Sequence, residues 1–241
     1  MPIGVIINSL AIIIGGIVGT VIGPKLSEDF KTGLNSIFGV CAMTMGIASI
    51  MQMQNMPAVI LAVILGTCVG LVIHLGNAIQ AGGLLMGKGI AKMMKSDNST
   101  SDDYKSLLVT AIVLFCSSGT GIYGSIVSGM TGDHSILLAK SVLDFPTAII
   151  FACVLGTVTA FIAVPQFIIF ILLFLLATVI YPFCTPAMIG DFKACGGILL
   201  LATGFRMMKL KEFHIADMIP AMVLVMPLSS LWVTYILPLV S

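Results

Sequence analysis

Long apolar runs, separated by short polar or charged turns, occupy nearly the whole chain. The runs last about 17–24 residues, the length needed to cross a hydrocarbon core of roughly 30 Å as α-helix. A transmembrane β-barrel would instead alternate apolar and polar residues in segments of about 10, and no such alternation is present. The pattern predicts an all-α, polytopic membrane protein with eight helices, over 3–23, 34–52, 57–76, 107–130, 141–162, 165–181, 194–210 and 217–238. The fifth and sixth share one apolar stretch, divided at Pro165-Gln166 because proline favours a turn. Ala78–Lys95 is shorter and amphipathic, with Lys88, Lys92 and Lys95 near an apolar face, and is expected at the membrane interface. The polar linker Ser96–Asp103 follows it.

One local pattern occurs twice. Thr20-Val21-Ile22-Gly23-Pro24 precedes Asp29-Phe30-Lys31, and Thr178-Val179-Ile180-Tyr181-Pro182 precedes Asp191-Phe192-Lys193. Further on, Asn55-Met56-Pro57 opens helix three as Asp217-Met218-Ile219-Pro220 opens helix eight. Thr20 to Thr178 is 158 positions, Asp29 to Asp191 is 162 and Pro57 to Pro220 is 163, so the spacing nearly holds. Helices one to three are thus expected to repeat as six to eight. The expected organisation is a single integral membrane domain over 1–241. It contains a first repeat at 1–76, the amphipathic segment and linker at 77–106, a central helix pair at 107–163 and a second repeat at 164–241.

Basic residues supply a direction. Nine of the eleven lysines and arginines fall between helices one and two, three and four, or seven and eight. With eight crossings those connections share one side, which the positive-inside rule makes cytoplasmic and which puts both termini outside. Lys140 and Lys193 fall opposite. The two copies of the repeat then have opposite orientations, a plan common among secondary transporters.

Composition narrows the class further. The chain is 59% hydrophobic and 9% charged, against about 25% charged in soluble domains. Its net charge of +1 argues against nucleic acid as a partner. Met1-Pro2-Ile3 enters the first run without a charged n-region or small-residue cleavage site, so that run is expected to be a retained helix. The six cysteines form no zinc pattern and read as packing residues, although Cys184 and Cys195 flank one loop and invite the question of pairing. No P-loop, HExxH, GxSxG or nucleophile–base arrangement is present, so neither an enzyme nor a cofactor or metal site is expected.

Polar residues within the apolar runs are the candidates for function. Helix four contains Cys116-Ser117-Ser118-Gly119-Thr120-Gly121, a poor continuous helix. Broken helices at membrane depth persist where protein or a water-filled cavity satisfies the freed backbone, and such backbone can hold ions. The same small residues also suit close helix packing. Lys140 and Asp144 are four apart on one face and can pair; Asp144 is expected about one turn into helix five. An intramembrane carboxylate costs about 2.5–3.5 kcal/mol on insertion scales. It can bind a cation, exchange a proton, position a solute or simply fix a helix end. Asn8 lies inside helix one at a depth suited to a cavity or an interhelical bond. His74, on the stripe Gly66, Gly70, His74, is expected to face another helix. Gly15, Gly19 and Gly23, and Ala152, Gly156 and Ala160, form small-residue faces suited to close packing or homo-oligomer formation.

The stretches Gly124-Ser125-Ile126-Val127-Ser128-Gly129-Met130-Thr131-Gly132-Asp133 and Leu138-Ala139-Lys140-Ser141-Val142-Leu143-Asp144 resemble the YdfK/YqgA-like family of bacterial inner-membrane proteins, whose function is unknown. Gly4-Val5-Ile6-Ile7-Asn8 and Gly196-Gly197-Ile198-Leu199-Leu200 extend the likeness over essentially the whole chain. It implies a bacterial cytoplasmic membrane location. Helix four departs from the family pattern in its more polar Cys116–Thr120. The expected function is a secondary transporter or channel for a small polar or ionic solute, with Asn8, Ser117, Ser118, Thr120, Gly121, Lys140 and Asp144 lining a midplane site. The alternative is a non-transporting membrane protein that assembles with or regulates a partner.

Overall fold

The structure is a computed structural model that describes residues 1–22, 27–94, 102–116 and 118–240. Ser117, most of the linker and the Gly23-Pro24 turn of the first repeat copy lie outside them. The described residues are helical throughout and contain no strand. The helices are α1 (Ile3–Ile22), α2 (Glu28–Ile50), α3 (Met56–Val72), α4 (Leu75–Met94), α5 (Asp102–Cys116), α6 (Gly119–Thr131), α7 (Ser135–Leu155), α8 (Val158–Phe161), α9 (Ala163–Ile180), α10 (Pro186–Met207), α11 (Ile215–Met218), α12 (Pro220–Leu231) and α13 (Leu237–Val240). Six helical stretches among them are long and apolar enough to cross a membrane. The broken pair α3–α4 makes a seventh, and Ser36–Ile50 is a shorter apolar stretch. Length and composition therefore mark six or seven spans, against the eight expected.

Two boundaries differ from the expected ones for identifiable reasons. The fifth and sixth runs part at Gly156, not at Pro165. Gly156 adopts φ 63°, which only glycine takes without strain, and it ends α7. Pro165 sits in the first turn of α9, where its missing N–H leaves no intrahelical bond unmade. The seventh run begins at Pro186, well before residue 194, because the Thr185 hydroxyl caps the Met188 N–H and Pro186 occupies the first helical position. Asp191 and Lys193 thus lie in a helix, not in a loop.

The chain forms two compact units. The first comprises Met1–Asn35 and Asn77–Val179, the second Ser36–Gly76 and Ile180–Ser241. Helices one and six of the sequence pattern fall in the first unit; most of helix two, with three, seven and eight, falls in the second.

In the first unit α1 and α7 run parallel and in register. Gly4 abuts His134 and Leu137, Gly15 abuts Phe145 and Ala148, and Gly19 abuts Ile149 and Ala152. A Cβ on Gly19 would sit 2.5 Å from the Ile149 carbonyl oxygen, so the two backbones meet only because that position carries no side chain. Gly19→Ala is expected to lower stability by about 1–3 kcal/mol through overpacking, read as earlier thermal unfolding in detergent. Phe115 of α5 packs edge-on against Phe151 of α7, centroids 5.9 Å apart. Along α6 and α9, Gly121 meets Phe170 and Gly129 meets Phe174 and Ala177, so this pair is parallel too.

In the second unit the pairs are antiparallel. Gly39 meets Gly204 and Gly46 meets Gly197 between α2 and α10. Gly66 meets Ala221 and Gly70 meets Asp217, bringing α3 against α11 and α12. These contacts dispose of hydrophobic surface that lipid would tolerate equally well, which leaves close packing and hydrogen bonds to hold the helices together.

Candidate functional site

Asp144 lies nine residues past Ser135, roughly 14 Å along α7 at about 1.5 Å per residue. This corrects the expected depth of one turn. The helix starts at Ser135, directly after the left-handed Gly132 (φ 72°) that ends α6, so Ser135–Lys140 form its first turns. Lys140 therefore sits inside the span and not at its outer end. It is only 3% exposed, and Asp144 only 7%.

The Lys140 Nζ donates to Asp144 Oδ2 at 2.5 Å, the i,i+4 pair expected. Asn8 Nδ2 donates to the same oxygen at 2.9 Å. Gln166 Nε2 donates to Asn8 Oδ1 at 2.7 Å, and the Ser9 hydroxyl donates to Gln166 Oε1 at 2.7 Å. Ser9 also approaches the Val5 carbonyl at 3.0 Å. The direction of this chain is imposed by the carboxylate. An ionised Asp144 only accepts, so Asn8 must turn its amide nitrogen toward it, which leaves Oδ1 for Gln166 and Oε1 for Ser9. Buried polar groups in lipid need such closure, since no water replaces a missing partner.

The α5–α6 break lies at the same level. Gly124 abuts Leu137 on the neighbouring antiparallel helix; counting back along α6 from that contact brings its N-terminus beside Lys140. The α6–α9 register through Gly121 and Phe170 likewise brings it beside Gln166, one turn from Phe170. Cys116, the last residue of α5, feels the charges of both Lys140 and Asp144. Ser118 caps α6, its hydroxyl accepting from the Gly121 N–H at 3.2 Å, and Thr120 is buried. Of the expected site residues, Asn8, Lys140 and Asp144 are joined directly. Ser118, Thr120 and Gly121 line the same level, and Ser117 lies outside the described residues. The hydroxyl of Thr159, seven positions before Gln166, is fully buried and has no hydrogen-bond partner among the described residues.

Ser9 and Gln166 escaped the sequence reading, although a signal was present. Asn8 and Gln166 are separated by 158 positions, the offset that relates Thr20 to Thr178. Those two threonines also behave alike, each donating back to the carbonyl four residues earlier, Gly16 and Phe174. Comparing polar residues at the repeat's own offset would have drawn Gln166 to Asn8.

A groove of about 300 Å³ runs beside the network between α1 and α9, lined by apolar atoms of Ile6, Leu10, Val164, Phe167 and Ile168 with Ser9 among them.

The second unit holds a different carboxylate. Asp191 is completely buried. Its Oδ1 accepts from the Gln54 and Asn55 N–H groups, each at 2.8 Å, and its Oδ2 accepts from Asn55 Nδ2 at 2.8 Å and the Ser229 hydroxyl at 2.6 Å. Four donors meet its charge, and the result ties the turn before α3 to α10 and α12. Asp217 Oδ1 accepts from the Gly76 N–H at 2.8 Å. His74 is exposed with φ 52°, at the break between α3 and α4, so it does not face a neighbouring helix. All six cysteines are free, so Cys184 and Cys195 are not paired. Burial pushes the Cys184 thiol above its usual range, away from thiolate chemistry. Among the described residues no group of three or more His, Cys, Asp or Glu is placed to hold a metal ion.

The helices and their buried polar network define an all-α polytopic membrane protein. Residues 3–230 match the family described as "Protein of unknown function (DUF554)", and the chain belongs to that family. It is 40% identical over 235 residues to "Uncharacterized protein YqgA" of Escherichia coli (strain K12), covering 98% of this chain and 99% of that one. It is 27% identical over 225 residues to "Uncharacterized membrane protein YdfK" of Bacillus subtilis (strain 168), covering 92% and 93%. No solved structure matches.

Proposed function

We propose that this protein is a secondary transporter or channel for a small polar or ionic solute in the bacterial cytoplasmic membrane, with Ser36–Ile50 as an eighth crossing, both termini outside and no enzymatic role. The observation that carries the reading is the Lys140–Asp144 pair near the middle of a membrane helix, joined to α1 and α9 through Asn8 and Gln166. Ionisable residues at such depth are costly, and pathways for ions, protons and substrates are where they are typically retained. The adjoining α5–α6 break supports the same reading, because interrupted helices line midplane sites in transporters. An inverted repeat is supported by the shared offset of Thr20 with Thr178 and of Asn8 with Gln166. Rocking of the repeats against each other would then alternate access, driven by an ion gradient.

The test is solute flux into proteoliposomes. Asp144→Asn is expected to abolish gradient-driven uptake, and uptake equal to wild type for every transported solute would remove Asp144 from the mechanism. The second reading is a non-transporting protein that assembles with or regulates a membrane partner. The apolar lining of the groove beside the network favours it. A stable complex with a membrane partner, in a protein that moves no solute, is the result that would establish it.

A further inference from the structure

We infer that the structure is one of two exchangeable states of an inverted duplication, in which the Asn8–Gln166 contact is common to both states and the buried corner at Asp191 and Phe192 is closed in this state only. The inference shares the inverted repeat with the transport reading and depends on no solute.

The pattern of burial carries the duplication. The buried residues of α9 are Ala163, Gln166, Phe170 and Ala177. Each lies 158 positions after a buried residue of α1, namely Val5, Asn8, Ile12 and Gly19. In the second unit the buried residues of α12 are Ala221, Met222, Val225 and Ser229. Each lies 163 positions after a buried residue of α3, namely Ala58, Val59, Ala62 and Gly66. These are the offsets of Thr20 to Thr178 and of Pro57 to Pro220. Each helix also crosses its own copy head to tail. In the first unit α1 runs with α7 and α9 runs with α6, while α6 and α7 are antiparallel. In the second unit α3 and α12 are antiparallel. Both crossings fall at equivalent residues. Asn8 bonds its own counterpart, Gln166. The contacts of Gly66 with Ala221 and Gly70 with Asp217, carried one turn back along α3, set Ala62 against its counterpart Val225, and both are fully buried. Unrelated helices have no reason to cross at matching positions.

Within each unit, a two-fold rotation carries every contact to the one between the counterparts. Exchange of conformation between inverted copies, the basis of alternating access, therefore returns Asn8–Gln166 to itself. Contacts away from the crossing are replaced by different ones, and there the copies differ. Asp191 is completely buried and Phe192 is 3% exposed, whereas Asp29 and Phe30, their counterparts, are exposed. The chain breaks at His74, φ 52°, after α3; 162 positions later Ile236 lies in continuous helix, within the π turn Trp232–Ile236. The two Asp-Phe-Lys stretches are identical, so their opposite burial comes from the surroundings of each copy, which exchange of states swaps.

The test uses the full chain in membrane vesicles, with the six native cysteines replaced by alanine, and a membrane-impermeant maleimide added to either face. Phe30→Cys is expected to label readily from one face. Phe192→Cys is expected to label from the other, about 10- to 1,000-fold more slowly, as for a minor state populated at roughly 0.1–10%. Asp191→Ala weakens the closed corner and is expected to speed labelling at 192 by about tenfold or more while slowing it at 30 by about twofold or more. Gln166→Leu removes a contact common to both states, so the thermal midpoint is expected to fall while the ratio of the two labelling rates stays within about twofold. In the unsubstituted protein the Gln54 and Asn55 amides, which donate to Asp191 at 2.8 Å, are expected to exchange with deuterium faster than the amides within α10, through opening of the corner alone. A Phe192→Cys thiol that never labels, or labels from the same face as Phe30→Cys, would overturn the inference. So would Gln54 and Asn55 amides that exchange only with global unfolding. Faster labelling at 192 with no change at 30 would reduce the corner to a local opening, and a ratio shifted by Gln166→Leu would remove Asn8–Gln166 as the common contact; either result overturns the exchange. Reciprocal labelling in a protein that moves no solute would leave the inference standing and remove the transport reading.

Discussion

Asp144→Leu is expected to destabilise the protein by about 3–5 kcal/mol, the usual cost of leaving one member of a buried ion pair without the other. The loss arises because Lys140, 3% exposed, would keep its ammonium in a span where neither water nor another carboxylate of its own helix can reach it. Asn8 would lose its acceptor at the same time, and with it the reason for the amide order that runs on to Gln166 and Ser9. Lys140→Met is expected to cost less, because the Asp144 carboxyl keeps the Asn8 amide as a donor. The informative measurement is the double-mutant cycle with Lys140→Met, read as unfolding in detergent. The double variant removes both charges, and its loss should be well below the sum of the two single losses. Strict additivity would show that the pair contributes nothing as a pair.

The second large effect is expected at Asp191. Replacement by alanine deprives two backbone N–H groups, one amide and one hydroxyl of their acceptor in a fully buried site. An unsatisfied buried group costs about 1–3 kcal/mol, so a total of about 4 kcal/mol or more is expected even with partial relaxation. Asp191→Asn should fall between wild type and alanine. Its retained oxygen can still accept from the Gln54 and Asn55 N–H groups, while its new amide nitrogen meets the Asn55 amide and the Ser229 hydroxyl. A graded series of thermal midpoints, Asp above Asn above Ala, checks this. Equal midpoints for all three would show that the turn before α3 is held by other contacts. Because Asp191 is held by four donors, it reads as a tie within the second unit, whereas Asp144 is paired with a cation.

The membrane class and most helices were legible along the chain because they depend on near-neighbour properties. Apolar runs of the required length, the glycines that interrupt them and the i,i+4 spacing of Lys140 and Asp144 are local facts. The end of the fifth helix also departs from the expected one for a local reason: Gly156 makes the turn, and Pro165, near a helix start, carries no penalty. The seventh began earlier than its apolar run because the Thr185-Pro186 cap, not hydropathy, set its start. Asp191 shows the opposite limit. The repeated Asp-Phe-Lys motif marked it as recurrent, but nothing near it in sequence revealed that Gln54, Asn55 and Ser229 would surround it.

By itself, the sequence determined that the chain is helical and belongs in a bilayer, and that one lysine and one aspartate share a helix face. Periodicity, run length and charge scarcity suffice for that, because every backbone group in lipid must be satisfied within its own helix. Only the tertiary structure decided which polar groups meet. Asn8 reaches Asp144 across 136 positions and Gln166 across 158, and both contacts require α1 to lie against α7, at a distance its glycines permit, and within side-chain reach of α9. Hydrogen bonds between helices depend on register to within one residue, and register is set by packing, which no single helix contains.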